Sequence, residues 1–530
     1  MLKRCAVTIC LAAAGLAHAA EPVDLDMVGK IRQEAFHNSQ VMDTLTHLTE
    51  VIGPRLTNSP QMSQANAWTR SRMGEWGLAH VRDEAIDAFG RGWEFSHASV
   101  QMLGPRQMPL HALPKAWTPG TNGPVEGEAV LVKISKLADL EQHRGKLAGK
   151  VLLLDEARAY RRAEQADSHR HDEDTLAEMQ AFTVPADRQE DRAKRIRDYQ
   201  ERQELARATN AFFAEEGVLA TISISGWDNG IIRTGGGGSR KAGEPVGVPA
   251  LTMISEHYNP LVRALERGEN VRLQVNVDAR FTDETDQPGY NTLAEIPGRG
   301  GKAGEIVMLG AHLDSWHTGT GASDNAAGVA VMMEAMRILQ AVGARPDRTI
   351  RIALWTAEEQ GLIGSREYVT RHFASYPEPT DPDQLALPAS LRQPTGPLQT
   401  TRDYDRFSVY FNMDNGSGRI RGVYAQENLA AVPIFQAWLA PFHDIGATTV
   451  ATRNTGSTDH IPFDTVGLPG FQFIQDRLDY FSNVHHSHLD TREHVEPEDL
   501  KQAAAIIASF AWHAATREEK FPRKRVVQPN

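Results

Sequence analysis

Histidines and carboxylates gather in the second half of the chain in an order that could support metal-dependent hydrolysis. His312 and Asp314 stand two apart and Asp324 follows on the same stretch. Glu358 and Glu359 are adjacent, Asp414 stands alone, and His485, His486 and His488 crowd together. Imidazole and carboxylate together suit zinc and similar divalent ions. One carboxylate can bridge two ions, and two ions roughly 3.5–4 Å apart can share a hydroxide and polarise a carbonyl. A centre of that kind needs about two histidines and three carboxylates as ligands, plus one free carboxylate to move protons. The sequence offers that set.

Taken singly, each group also has a plainer reading. Asp324, flanked by Gly319, Gly321 and Ala322, could cap the helix that follows it, and capping leaves its second oxygen available. The pair Glu358-Glu359 could simply favour a helix N-terminus. Yet neighbours after a strand point in different directions, so one can hold a metal while the other faces water as general base. In the His312-x-Asp314 pair, the carboxylate is expected to accept the second ring N–H of the histidine and fix its tautomer. His169 and His171 lie in a highly charged stretch and are expected to be solvated rather than ligands.

The elements that must position these groups are legible from patterning. Strands are expected at 306–310, 349–355, 409–412 and 470–474. Helices are expected at 326–339, near 361, at 430–439 and at 500–516. Strands alternating with helices argue an α/β sheet, largely parallel, whose carboxyl ends share one edge where ligands bind. Every group of the candidate ligand set falls just past such an end or on the loop beyond it. Residues 23–110 read as helical first, with 41–51 helical up to Gly53-Pro54. Residues 121–284 hold short β-rich runs at 129–134, 151–154, 218–223 and 271–277. A charged helical insertion is expected at 156–216, and the glycine run 235–238 as a flexible turn. The proline-rich stretch 376–402 is expected to be a long surface loop.

Composition narrows the function. A formal net charge of -12 over 530 residues, with no basic stripe, argues against nucleic acid as partner. No later apolar run is long enough for a membrane span. The opening segment has Lys3-Arg4, an apolar core and Ala17-His18-Ala19. It reads as a secretory signal peptide, so a periplasmic or extracellular location is expected. Both cysteines, Cys5 and Cys10, lie inside it, which leaves histidine and carboxylate as the ligands for any metal. No GxSxG elbow supports a serine hydrolase.

The ordered set resembles the M28 family of metallopeptidases, which includes secreted aminopeptidases and glutamate carboxypeptidases. The stretches that carry the resemblance are His312-Leu313-Asp314-Ser315-Trp316, Gly321-Ala322-Ser323-Asp324-Asn325 and Trp355-Thr356-Ala357-Glu358-Glu359-Gln360-Gly361. Met413-Asp414 and His485-His486-Ser487-His488-Leu489-Asp490-Thr491 complete the set. Gly53-Pro54-Arg55-Leu56 and Gly456-Ser457-Thr458-Asp459 are similar too. The gap between His312 and Asp324 is shorter than in the related M20 peptidases. The resemblance implies two zinc ions per chain, with other divalent metals open. His312 and Asp414 would serve one ion, Glu359 and His486 the other, and Asp324 both. His486 is chosen over its neighbours because it stands four residues before Asp490. Glu358 would be the general base and Asp314 the orienting residue, with His460 and Tyr480 as candidate donors to the developing oxyanion.

The resemblance also implies a zinc exopeptidase fold, a mixed, largely parallel sheet flanked by helices. A β-rich protease-associated domain would be inserted in it. The expected divisions are a signal peptide at 1–19, the start of the catalytic domain at 20–120, the insertion at 121–284 and the rest of the catalytic domain at 285–530. The substrate would be a dipeptide or short peptide, and a homodimer is left open. Two rivals share the fold: a non-catalytic peptide-binding protein that has lost ligands, and a glutaminyl cyclase. The full ligand set argues against the first and the inserted domain against the second.

Overall fold

Strand Ile306–His312 is buried along its whole length, and its two faces explain the layers around it. Val307, Leu309 and Ala311 point into one apolar core, Ile306 and Met308 into another on the opposite face. That alternation is the period-two geometry of a strand covered on both sides. The computed structural model describes residues 21–162, 164, 166–182 and 189–525. The expected signal peptide lies outside them.

Eight strands form the main sheet, in the order Ala79–Gly90, Gln287–Ile296, Thr349–Trp355, Ile306–His312, Phe407–Asn412, Gly470–Gln475, Ile420–Tyr424 and Thr449–Ala451. The four central strands from Thr349 to Gln475 run parallel, and antiparallel pairs flank them. On one face, helix Ala327–Ala341 is buried at every position up to Leu339. It packs on the sheet beside helix Pro497–Thr516, and helix Leu25–His37 lies against both. Each large apolar side chain buried this fully contributes roughly 1.5–3 kcal/mol. The other face is covered by Ile363–His372 and an aromatic group that includes Trp355, Phe373, Phe407, Tyr410 and Phe463.

A second eight-stranded sheet is built from strands between Trp93 and Phe281, with helix Ser255–Glu266 packed on it. It begins at strand Trp93–Gly104, upstream of residue 121. The early part of the chain is therefore less helical than its pattern suggests. Ala79–Gly90 and Trp93–Gly104 are long strands with broken alternation and register shifts against their partners. Backbone ladders hold them, and an irregular edge strand carries little side-chain periodicity.

Three smaller expectations also change. The glycine run is close-packed, not a free turn: a Cβ at Gly238 would fall 1.8 Å from the carbonyl oxygen of Trp117. His171 is buried, with its backbone N–H on Asp476 Oδ1 at 2.9 Å and its carbonyl on Arg421, so it is not solvated. The 376–402 stretch carries two short helical turns and a strand, Gln399–Thr400, that pairs with Ala374–Ser375. None of the described helices is long and apolar enough to cross a membrane.

Candidate metal centre

The parallel register brings the strand ends level. His312 pairs with Trp355, and Gly310 with Asn412. The residues just beyond, Glu358-Glu359 and Asp414, therefore emerge beside His312 at one edge. The His485–His488 stretch reaches the same edge after strand Gly470–Gln475 and the turn Tyr480–Val484. Asp324 arrives from the loop that precedes helix Ala327–Ala341.

The five expected ligands meet. His312 Nε2 lies 3.3 Å from Asp324 Oδ1 and 3.3 Å from Asp414 Oδ1. His486 Nε2 lies 3.3 Å from Asp324 Oδ2 and 2.9 Å from Glu359 Oε2. Asp324 thus presents one oxygen to each histidine. Glu358 joins the first side: ligand atoms of His312, Glu358 and Asp414 fall within 4.8 Å of one another. His485 stands further back, its Nε2 3.8 Å from Asp324. His488 is turned away, its Nδ1 taking the N–H of Ile232 at 3.0 Å.

Asp314 is placed at the centre but works differently from expectation. Nδ1 of His312 donates to the backbone carbonyl of Asp314 at 2.9 Å, while the carboxylate stands off at 3.7 Å. The carbonyl can only accept, so it fixes a proton on Nδ1 and makes Nε2 the atom that faces Asp324 and Asp414 and would ligate an ion. The Asp314 carboxylate instead accepts the backbone N–H groups of Glu358 (3.2 Å) and Glu359 (3.3 Å), and the Thr57 hydroxyl at 3.2 Å. It aims the glutamate pair. The two-residue spacing identified the residue but not which of its oxygens faces the ring.

Two supporting residues had only motif membership to mark them. Asp490 accepts the backbone N–H groups of Ser323 (2.6 Å) and Asp324 (3.0 Å), which fixes the loop carrying Asp324. Arg55, fully buried, donates to the carbonyls of Leu313, Thr320 and Gly321. It staples that loop at both ends. Trp316, whose ring lies 6.0 Å from His486, walls the opening and was not singled out in the sequence. His486 itself sits at φ 60°, a left-handed conformation costing on the order of 1–3 kcal/mol.

The electrostatics ask for a cation. Asp314, Asp324, Glu358, Glu359, Asp414, Asp459 and Asp490 have buried side chains in or around the centre, with Arg55 as the nearby guanidinium. Burial, then neighbouring carboxylates, push Glu358 and Glu359 far above the usual range. Burial raises Asp459 to about 7 and holds Arg55 down to about 10. Burial also works against a charged His312, but Asp414 and Glu358 outweigh it and hold its proton on. Burial would raise Asp324, yet the hydrogen bond from His312 and the His486 charge bring it below its ordinary value. Asp324 Oδ2 and Glu359 Oε1 are buried with no hydrogen-bond partner among the described residues. Orphaned acceptors facing imidazole nitrogens fit divalent ions, which would displace the retained protons.

Residues 291–511 match the family model described as peptidase family M28. Over 502 residues the chain is 26% identical to carboxypeptidase Q of Bos taurus, covering 94% of this chain and 89% of that protein. Among solved structures, a peptidase M28 precursor from Shewanella amazonensis superposes with a TM-score of 0.64 at 24% identity, covering 95% of this chain and 99% of that one. A zinc aminopeptidase from Bacillus subtilis superposes at 0.54 and 19% identity, covering 92% and 98%. The two structures share the fold.

Proposed function

From the match of residues 291–511 to the model of peptidase family M28, we propose that the protein is a secreted exopeptidase of dipeptides or short peptides that holds two divalent ions, zinc foremost. The observation that carries the reading is Asp324, whose two oxygens each lie 3.3 Å from a different histidine. His312 and Asp414 would hold one ion, Glu359 and His486 the other, with Asp324 common to both. When bound, the ions would acidify water and polarise the substrate carbonyl.

The chain's own groups supply the rest. Glu358, aimed by Asp314 through its backbone N–H, takes the proton of the attacking water and returns it to the leaving amine. Tyr480, buried and raised by its burial and by the charges of Asp324, Asp414 and Glu359, keeps its proton and is the first candidate donor for the developing oxyanion. His460 is the lesser donor, because its Nε2 faces the carbonyl of Thr455 at 3.2 Å. Export by the leader 1–19 and a protease-associated role for the insertion at 121–284 belong to the same proposal; the second sheet supports the latter.

Elemental analysis combined with dipeptide hydrolysis tests this. Glu358→Gln should keep two equivalents of metal and lose nearly all turnover, on the order of a thousandfold or more. Full activity in that variant, or a folded chain that takes up no metal, would reject the mechanism.

A further inference from the structure

The centre opens toward the second sheet. On the His312 side it is sealed, the imidazole only 1% exposed, whereas His485 and His486 keep 24% and 25%. Along this open side runs the segment 231–235. The backbone N–H of Thr234 donates to the carbonyl of His486 at 3.2 Å, and that of His488 to the carbonyl of Ile232 at 3.1 Å. These bonds seat Arg233 at the lip of the centre.

Arg233 is exposed yet pinned. Its Nε donates to the carbonyl of His485 at 3.2 Å, its Nη2 to Nδ1 of the same residue at 3.2 Å, and its guanidinium lies over Trp227 at 5.3 Å. Two of its five N–H donors are used, and among the described residues it pairs with no carboxylate. A solvent-facing arginine usually keeps its rotamer freedom; this one has given it up before any ligand arrives, as a preorganised anion site does.

We infer that Arg233 is the carboxylate anchor of the substrate site: it binds the free C-terminal carboxylate of a dipeptide or short peptide, which is then cut one residue from that end. The inference rests on the two-ion peptidase reading. A guanidinium fork matches a carboxylate and repels an N-terminal ammonium, so this cation selects the carboxyl end. The distance agrees. A single imidazole separates the guanidinium from the centre, since Nε2 of His485 lies 3.8 Å from Asp324 Oδ2. A charge-assisted hydrogen bond of about 2.8 Å at the guanidinium, one residue of roughly 3.3–3.6 Å and a contact of the scissile carbonyl at the centre together match a path of one imidazole and its two contacts.

The test compares alanyl-alanine with its C-terminal amide. Binding of each to zinc-loaded Glu358→Gln protein is measured by calorimetry, with and without Arg233→Ala, and turnover is measured on an otherwise unchanged centre. The parent should prefer the free carboxylate by about tenfold to a hundredfold. Arg233→Ala should erase that preference, raising KM for the free dipeptide more than it lowers kcat, and Arg233→Lys should restore part of it. Equal affinity of the parent for both ligands would overturn the anchor. A loss in Arg233→Ala that falls equally on both would do so too, leaving Arg233 as a support for the His485 loop. Failure to hydrolyse either ligand would count against the peptidase mechanism alone, because the binding comparison still decides Arg233.

Discussion

Asp314 shows how a residue can be found for one reason and matter for another. Its carbonyl fixes His312, and its carboxylate holds the backbone of Glu358 and Glu359. Asp314→Asn keeps the size and the carbonyl but sets an NH2 group against one of two incoming N–H donors. We expect kcat for dipeptide hydrolysis to fall about 10- to 100-fold, with most of the metal retained; steady-state kinetics alongside metal analysis would check this. Unchanged kcat would mean that the glutamate pair needs no such support. At this scale the sequence was informative about residue type, because only certain side chains hold metals, and the five ligand positions do converge. It was uninformative about atoms. Nothing in a two-residue spacing says which oxygen of Asp314 faces a ring, and Arg233 carries no motif at all, since its importance comes from pairing with a loop some 250 positions away.

Among the elements, the loop from Leu313 to Asn325 leaves no room for a side chain at Gly321. Gly321 sits at φ +62°, and a Cβ there would meet Ser315 Cβ at 2.4 Å and Arg55 Nη2 at 2.9 Å. Gly321→Ala combines an unfavourable backbone with overpacking against a buried guanidinium. It should cost about 1–3 kcal/mol of stability, read from denaturant unfolding of the metal-free chain. A variant as stable as its parent would show that the loop has slack. The parallel strands that deliver the ligands were legible, as buried apolar runs punctuated by helices. Ala79–Gly90 and Trp93–Gly104 were not: their side chains follow no period, and they exist because neighbouring strands offer hydrogen bonds.

The molecule as a whole stores its electrostatic tension at one edge. Without cations, the raised pKa values of Glu358, Glu359, Asp459 and His312 mean that the folded chain holds protons the unfolded chain would release. A raised folded pKa stabilises below the unfolded pKa, and that gain is lost as pH rises through the folded value. These four groups therefore favour the metal-free fold at about pH 5 over about pH 8, while the histidines His317, His460 and His485, held down to about 4 by burial, work the other way across the same window. Asp324, whose pKa is lowered, opposes this trend only at more acid pH. Loading with zinc should raise Tm most at the higher pH, which thermal melts of chelated and reloaded protein would show; a Tm independent of metal at both values would contradict it. The two histidines are also housed unequally. His312 ends a strand in the interior of its own sheet, while the backbone of His486 is bonded to the neighbouring segment 231–235 and its ring is a quarter exposed. Demetallation should accordingly be sequential: a rising dose of chelator would strip the ion at His486 first and leave a half-loaded species, visible as two separate plateaus in a titration of bound zinc.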